Sequence, residues 1–177
     1  MVTRQTTIRI VLAIGGDTTV ALRDRALLLL YFTGAFRRSE IVSLRVSDLE
    51  WLRDGVVVRV GRNAAPDNRW DEYIFVGCAE NDEACPVASL RRYLSAACID
   101  SGPVFRRATS AGTLVGTRRI DERKLYQDGP AGPLMSSRSV SAIAIRHSRT
   151  AGVDPATLPK DNLRQRRVWR LHSGASR

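Results

Sequence analysis

Residues 23–51 read "RDRALLLLYFTGAFRRSEIVSLRVSDLEW", and the order of events inside them decides the fold. From Thr18 to Phe32 the spacing predicts a helix. Asp17 or Thr18 can cap it, and Val20, Leu22, Ala26, Leu27, Leu29 and Leu30 make a broad apolar face. Gly34 breaks it. A second, shorter helix is expected from about Arg38 to Leu44, with Ile41 and Leu44 on its buried side. Arg37 and Glu40 lie three apart and share a face. Glu40 can orient the Arg37 guanidinium while the remaining N–H donors grip an anion. On spacing alone a solvated ion pair, which stabilises little, competes with that reading.

Working outward, "DGVVVRV" (54–60) is a strand by β-branching, "GRNAAPDN" turns the chain, and "RWDEYIFVG" returns it as a β-hairpin with a long loop. Cys85 to Cys98 reads as a helix with Pro86 in its first turn. Residues 106–135 are rich in Gly, Arg and Pro and read as a loop, with a short strand or turn near Gly112–Gly116. Helix resumes over Ser136–Ala151, with Val140, Ile143, Ala144 and His147 along one stripe and Gly152 as its stop. The basic tail is expected to be helical from Asp161 to Leu171. Residues 1–17 are ambiguous: "TTIRIVLAI" is β-branched enough for a strand, yet short and closed by Gly15-Gly16. Helices, a hairpin and more helices give an α+β fold, mainly helical with a small antiparallel hairpin or sheet.

A chain of 177 residues suits one domain, and 44% hydrophobic with 26% charged residues is ordinary for a globular protein. The net charge of +10 is not ordinary. It favours a polyanionic partner, nucleic acid first and acidic membrane second. Lys124 and Lys160 are the only lysines, so the cations are arginines suited to bidentate phosphate contacts. Cys78, Cys85 and Cys98 show no CxxC spacing, so neither a zinc site nor a disulfide framework is signalled, and a reduced, cytoplasmic setting fits. No apolar run approaches a membrane span, and no signal peptide is visible.

The ordered motifs resemble those of the tyrosine recombinases, also called the phage integrase family. The matching features are an apolar helix leading to Thr33-Gly34, then Arg37, Glu40, Leu44 and Asp48-Leu49, then the hairpin. "CPVASLRRYLSAACIDSGPVF" and "SRSVSAIAIRHSRTAGVDP" follow, similar to the family's next helix with its exit and to the helix before its second arginine motif. The resemblance runs from about residue 5 to about residue 164. It implies a domain in which two arginines clamp a DNA phosphate, a hairpin-loop lysine protonates the leaving oxygen, a His-x-x-Arg histidine assists, and a tyrosine attacks. It implies no metal and no cofactor.

Several positions depart from that pattern. The hairpin loop has Ala64 or Ala65 where the lysine is expected, with Asp67 nearby; Arg62 and Arg69 are close, but a guanidinium is a poor proton donor. The "H-x-L-R" motif reads "DNLR", so Arg164 takes the second clamp position and Asp161 stands at the histidine position. Tyr31, Tyr73, Tyr93 and Tyr126 all precede Arg164, where the family's nucleophile follows it. The resemblance therefore implies a DNA-binding relative unable to cleave, with Arg37, Glu40 and Arg164 at catalytic positions. Arg38, Arg62, Arg69, Arg166 and Arg167 join Arg37 and Arg164 as expected DNA contacts, Arg38 as a backbone-phosphate or solvent contact. Residues 1–17 are read as a short leader and 18–177 as a partial catalytic domain lacking the nucleophile segment. Expected partners are double-stranded DNA and either a complete recombinase or a second copy. The alternatives are a stand-alone DNA-binding module, a regulator or decoy of a complete recombinase, and a helical assembly protein with an incidental basic surface.

Overall fold

A computed structural model of the protein describes residues 3–60, 72–79, 84–115 and 134–158. The first element is a helix, α1 (Arg4–Leu12), rather than a strand. Thr3 caps it, its hydroxyl accepting from the Thr6 N–H at 3.1 Å, and Ile10 and Val11 are buried. β-Branching disfavours helix only weakly, and burial of one face against a neighbour overrides it.

Helix α2 (Thr19–Thr33) begins at a Thr18 cap, whose hydroxyl accepts from the Ala21 N–H at 3.2 Å. It is buried on every side, from Ala21 through Tyr31 apart from Arg25, because α1 and three later helices surround it. A helix enclosed in this way carries apolar residues around its whole circumference, which is why "ALLLLYF" shows no polar face.

The helix ends at Gly34, and the left-handed residue is the next one, Ala35 (φ 50°). Gly34 itself has an ordinary φ of −84°. Its missing side chain matters because a Cβ there would strike the ring of Phe36, which is fully buried. The sharp reversal delivers the chain into α3 (Arg38–Ser43), anchored by fully buried Ile41.

A single 3-10 turn (Val46–Asp48) leads into a three-stranded antiparallel sheet of β1 (Leu49–Trp51), β2 (Gly55–Val60) and β3 (Glu72–Gly77), ordered β1-β2-β3. The expected hairpin is β2–β3, with Val58 opposite Ile74 and Val60 opposite Glu72. Strand β1 is an addition, pairing Leu49 with Val58. Val56, Val58 and Val60 point inward, and Val57 and Arg59 outward, as the two-residue period requires.

Helix α4 (Pro86–Ala96) starts as expected with Pro86 at its first position. It packs along α2 and buries Tyr93, whose hydroxyl donates to the Val104 carbonyl at 3.0 Å and whose ring stacks on Phe105 with centroids 5.9 Å apart. The segment after it is stitched to the end of α3: the Val104 N–H donates to Leu44 O at 2.9 Å and the Val46 N–H to Gly102 O at 3.0 Å. Between 106 and 115 a turn at Gly112 (φ 75°) closes a bridge between Ala108 and Leu114. Helix α5 (Ser137–Thr150) is capped by Ser136 and ends at left-handed Gly152 (φ 65°). The helix expected over 161–171 falls outside the described residues. Among those described, no helix is long and apolar enough to cross a membrane.

Candidate nucleic-acid interface

Arg37 is the N-cap of α3, with extended backbone. An arginine side chain has no acceptor and cannot cap a helix itself. Glu40 supplies the reciprocal half of a capping box: its Oε2 accepts the Arg37 N–H at 2.7 Å. Its other oxygen lies 4.0 Å from Arg37 Nε, and the Glu40 side chain is 13% exposed against 59% for Arg37. One carboxylate thus fixes the backbone of Arg37 and faces its guanidinium, while that guanidinium stands in solvent. This is the arrangement the spacing of the two residues allows, extended by a main-chain bond that spacing alone does not reveal.

Arg38 turns the other way. Its Nη1 donates to Ser141 Oγ of α5 at 2.9 Å. The remaining expected contacts, Arg62, Arg69, Asp161, Arg164, Arg166 and Arg167, lie outside the described residues, as do Ala64, Ala65, Asp67 and Tyr126. Residues 61–71, which include Arg62 and Arg69, connect the paired strand ends Val60 and Glu72.

Behind α3, a second polar cluster lies in the core. Asp24 of α2 is 1% exposed. Its Oδ1 accepts from Arg23 Nε at 2.9 Å and Nη2 at 2.7 Å. Its Oδ2 accepts from Arg146 Nη2 at 2.6 Å and lies 2.9 Å from His147 Nε2. Arg23 Nη1 also donates to Arg106 O at 2.9 Å, and Arg106 Nε and Nη2 donate to the carbonyls of Pro103 and Ser101. Burial pushes the Asp24 carboxyl up, but the His147 hydrogen bond and the Arg23 charge outweigh it and hold the group below the usual carboxylate range. Sequence reading places His147 on a stripe of α5 as a packed or surface histidine; it is packed, against Asp24. The same reading assigns no role to Arg23 and Asp24, which interrupt an apolar run. The available signal was an Arg-Asp pair inside an otherwise apolar helix, since such charges are buried only when paired.

Asp48 of the "L-x-x-x-D-L" stretch is a local organiser. It accepts from the Arg45 N–H at 3.0 Å and from Arg59 Nη2 at 3.3 Å, tying the 3-10 turn to β2. Of the tyrosines, Tyr31 and Tyr93 are buried, and burial pushes the Tyr93 phenol up to about 12 against the opposing Arg106 hydrogen bond and nearby arginine charges. Tyr73 is half-buried on β3, beside Asp48 and Arg59. Among the described residues no three His, Cys, Asp or Glu side chains converge as metal ligands.

No protein-family model matches the chain. It is 31% identical over 144 residues to the integrase/recombinase xerD homolog of Selenomonas ruminantium, a match covering 81% of this chain and 38% of that protein. It is 45% identical over 47 residues to the integrase/recombinase y4rF of Sinorhizobium fredii (strain NBRC 101917 / NGR234), covering 27% of this chain and 11% of that one. The crystal structure of XerA recombinase aligns with a TM-score of 0.54 over 86% of this chain and 43% of that one, at 15% identity, a likeness of fold. The chain thus matches less than half the length of each of these relatives.

Proposed function

Because the chain belongs to the tyrosine recombinase (phage integrase) family, we propose that it binds double-stranded DNA by its phosphate backbone and does not itself cut it. The observation that carries the reading is Arg37: an exposed guanidinium on a backbone fixed by Glu40, inside a chain of net charge +10. Arg37 and Arg164 grip one phosphate from two sides, a bidentate role that arginine fills better than lysine. Arg62, Arg69, Arg166 and Arg167 add sequence-independent charge along the duplex.

Several features support the absence of cleavage. Asp161 stands where an imidazole is needed, and a carboxylate beside a phosphate repels it. Ala64 and Ala65 offer no proton donor to a leaving oxygen. Loss of general acid–base help alone costs about 10²–10⁴-fold in rate. Tyr31 and Tyr93 are buried, and the Tyr93 hydroxyl is committed to Val104. The chain therefore acts as a DNA-binding partner, either to a complete recombinase or to a second copy of itself.

The test is incubation with duplex DNA nicked to trap covalent intermediates, followed by denaturing electrophoresis. Retarded complexes under native conditions with no denaturation-resistant adduct are expected. An adduct mapping to Tyr126 overturns the non-cleaving assignment, and absence of any native complex overturns DNA binding.

A further inference from the structure

Resting on the reading of Arg37 as a phosphate contact, we propose that Arg38 and Ser141 form the positioning pair that aims Arg37, and that Arg38 is not itself a phosphate contact. Helix α3 has six residues, too few to hold its own geometry. Its direction must come from what it is fastened to. Ile41, with Phe36 before the helix and Leu44 at its end, anchors one side in the core. A polar contact then ties its N-terminal residue to α5: Arg38 Nη1 donates to Ser141 Oγ, 2.9 Å long and spanning 103 positions of sequence.

The anchor point is itself rigid. Helix α5 is fixed to α2 through Asp24, which holds both Arg146 and His147, and to α1 through Arg9 Nη2 and the Ala151 carbonyl at 3.3 Å. Ser141 lies on the same helix, five residues before Arg146. The line of contacts from α2 through α5 to Arg38 thus ends one residue from Arg37. With Arg38 held on α5, Arg37 at the extended N-cap stands 59% exposed, with Glu40 beside it. The two adjacent arginines divide the work: one is bound to the fold and the other is presented.

The experiment is fluorescence anisotropy of a labelled duplex across a salt titration, using Ser141→Ala, Ser141→Thr, Arg38→Ala, Arg37→Ala and the Ser141→Ala/Arg37→Ala double variant. Ser141→Ala is expected to weaken binding about three- to tenfold, the size of a coupling between directly bonded residues. Its salt slope should not change, because no charge is removed. Arg38→Ala should likewise leave the slope unchanged. Ser141→Thr keeps a hydroxyl and should restore most of the affinity. In the Arg37→Ala background the Ser141→Ala penalty should largely vanish, which a general loss of stability would not produce. A slope lowered by about one in Arg38→Ala, with Ser141→Ala binding like the parent, overturns the proposal and returns Arg38 to the phosphate. An undiminished Ser141→Ala penalty without Arg37 also overturns it. Failure of the underlying reading has its own signature, an Arg37→Ala variant with unchanged affinity and slope.

Discussion

His147 Nε2 lies 2.9 Å from Asp24 Oδ2, joining α5 to α2 across 123 positions of sequence at a carboxylate only 1% exposed. The same carboxylate holds Arg23 and Arg146. A buried pair of this kind stabilises little relative to apolar packing, but breaking it by removing one partner leaves an uncompensated charge. Asp24→Asn should therefore lower the unfolding free energy by about 3–5 kcal/mol, read from the midpoint of urea denaturation followed by circular dichroism. A variant within about 0.5 kcal/mol of the parent would show that Asp24 does not hold the core together.

Acid should act through the same residue. The Asp24 carboxyl is held below its ordinary value in the folded state. A depressed carboxylate contributes stability that is present above the unfolded value, about 3.9, and lost as pH falls through the folded value. Unfolding free energies measured on acidification should fall below about pH 4, and the fall should be shallower in Asp24→Asn. Equal slopes would remove Asp24 as a cause.

At the alkaline end the sign reverses. The Tyr93 phenol, pushed up to about 12, contributes stability that is present below its unfolded value of about 10 and lost as pH rises through the folded value. Tyr93→Phe should cost about 1 kcal/mol at neutral pH through the lost bond to Val104. It should also flatten the stability loss between about pH 10 and about 12. A parent profile that is already flat over that interval would contradict this.

The turn before Arg37 offers two adjacent substitutions of opposite sign. Gly34→Ala forces a methyl group into the Phe36 ring and should destabilise by about 1–3 kcal/mol. Ala35→Gly relieves a left-handed φ of 50° at a residue with a Cβ. It should be neutral or raise stability by up to ~1 kcal/mol, after the entropy cost of glycine. Thermal unfolding of both variants checks the pair, and a destabilised Ala35→Gly would contradict it.

Much of this fold is legible in the sequence because local signals agree with it. Thr18 and Ser136 are cap residues at real helix starts, and Pro86 and Gly152 mark a real start and stop. Alternating burial of Val56, Val57 and Val58 follows the strand period. The sequence is ambiguous or silent where tertiary contact outweighs local preference. The "TTIRIVLAI" segment is helical because Ile10 and Val11 pack on the core, and β1 exists because Leu49 finds Val58. At the site, Arg37 and Glu40 are readable from spacing, whereas the main-chain bond between them is not. Arg38 is equally basic in sequence, and only the position of Ser141, 103 residues away, separates its role from that of its neighbour. The Asp24 cluster is hidden for the same reason, since two of its partners, Arg146 and His147, lie more than a hundred residues downstream.

The most direct test of the DNA-phosphate reading is the salt dependence of duplex binding by the parent chain, Arg37→Ala and Arg164→Ala. Each arginine on a phosphate releases condensed counterions, so the logarithm of the binding constant should fall linearly with the logarithm of salt concentration, and each substitution should reduce that slope by about one. Parallel lines for the parent and both variants would mean that neither arginine touches a phosphate, and the account of this site would be wrong.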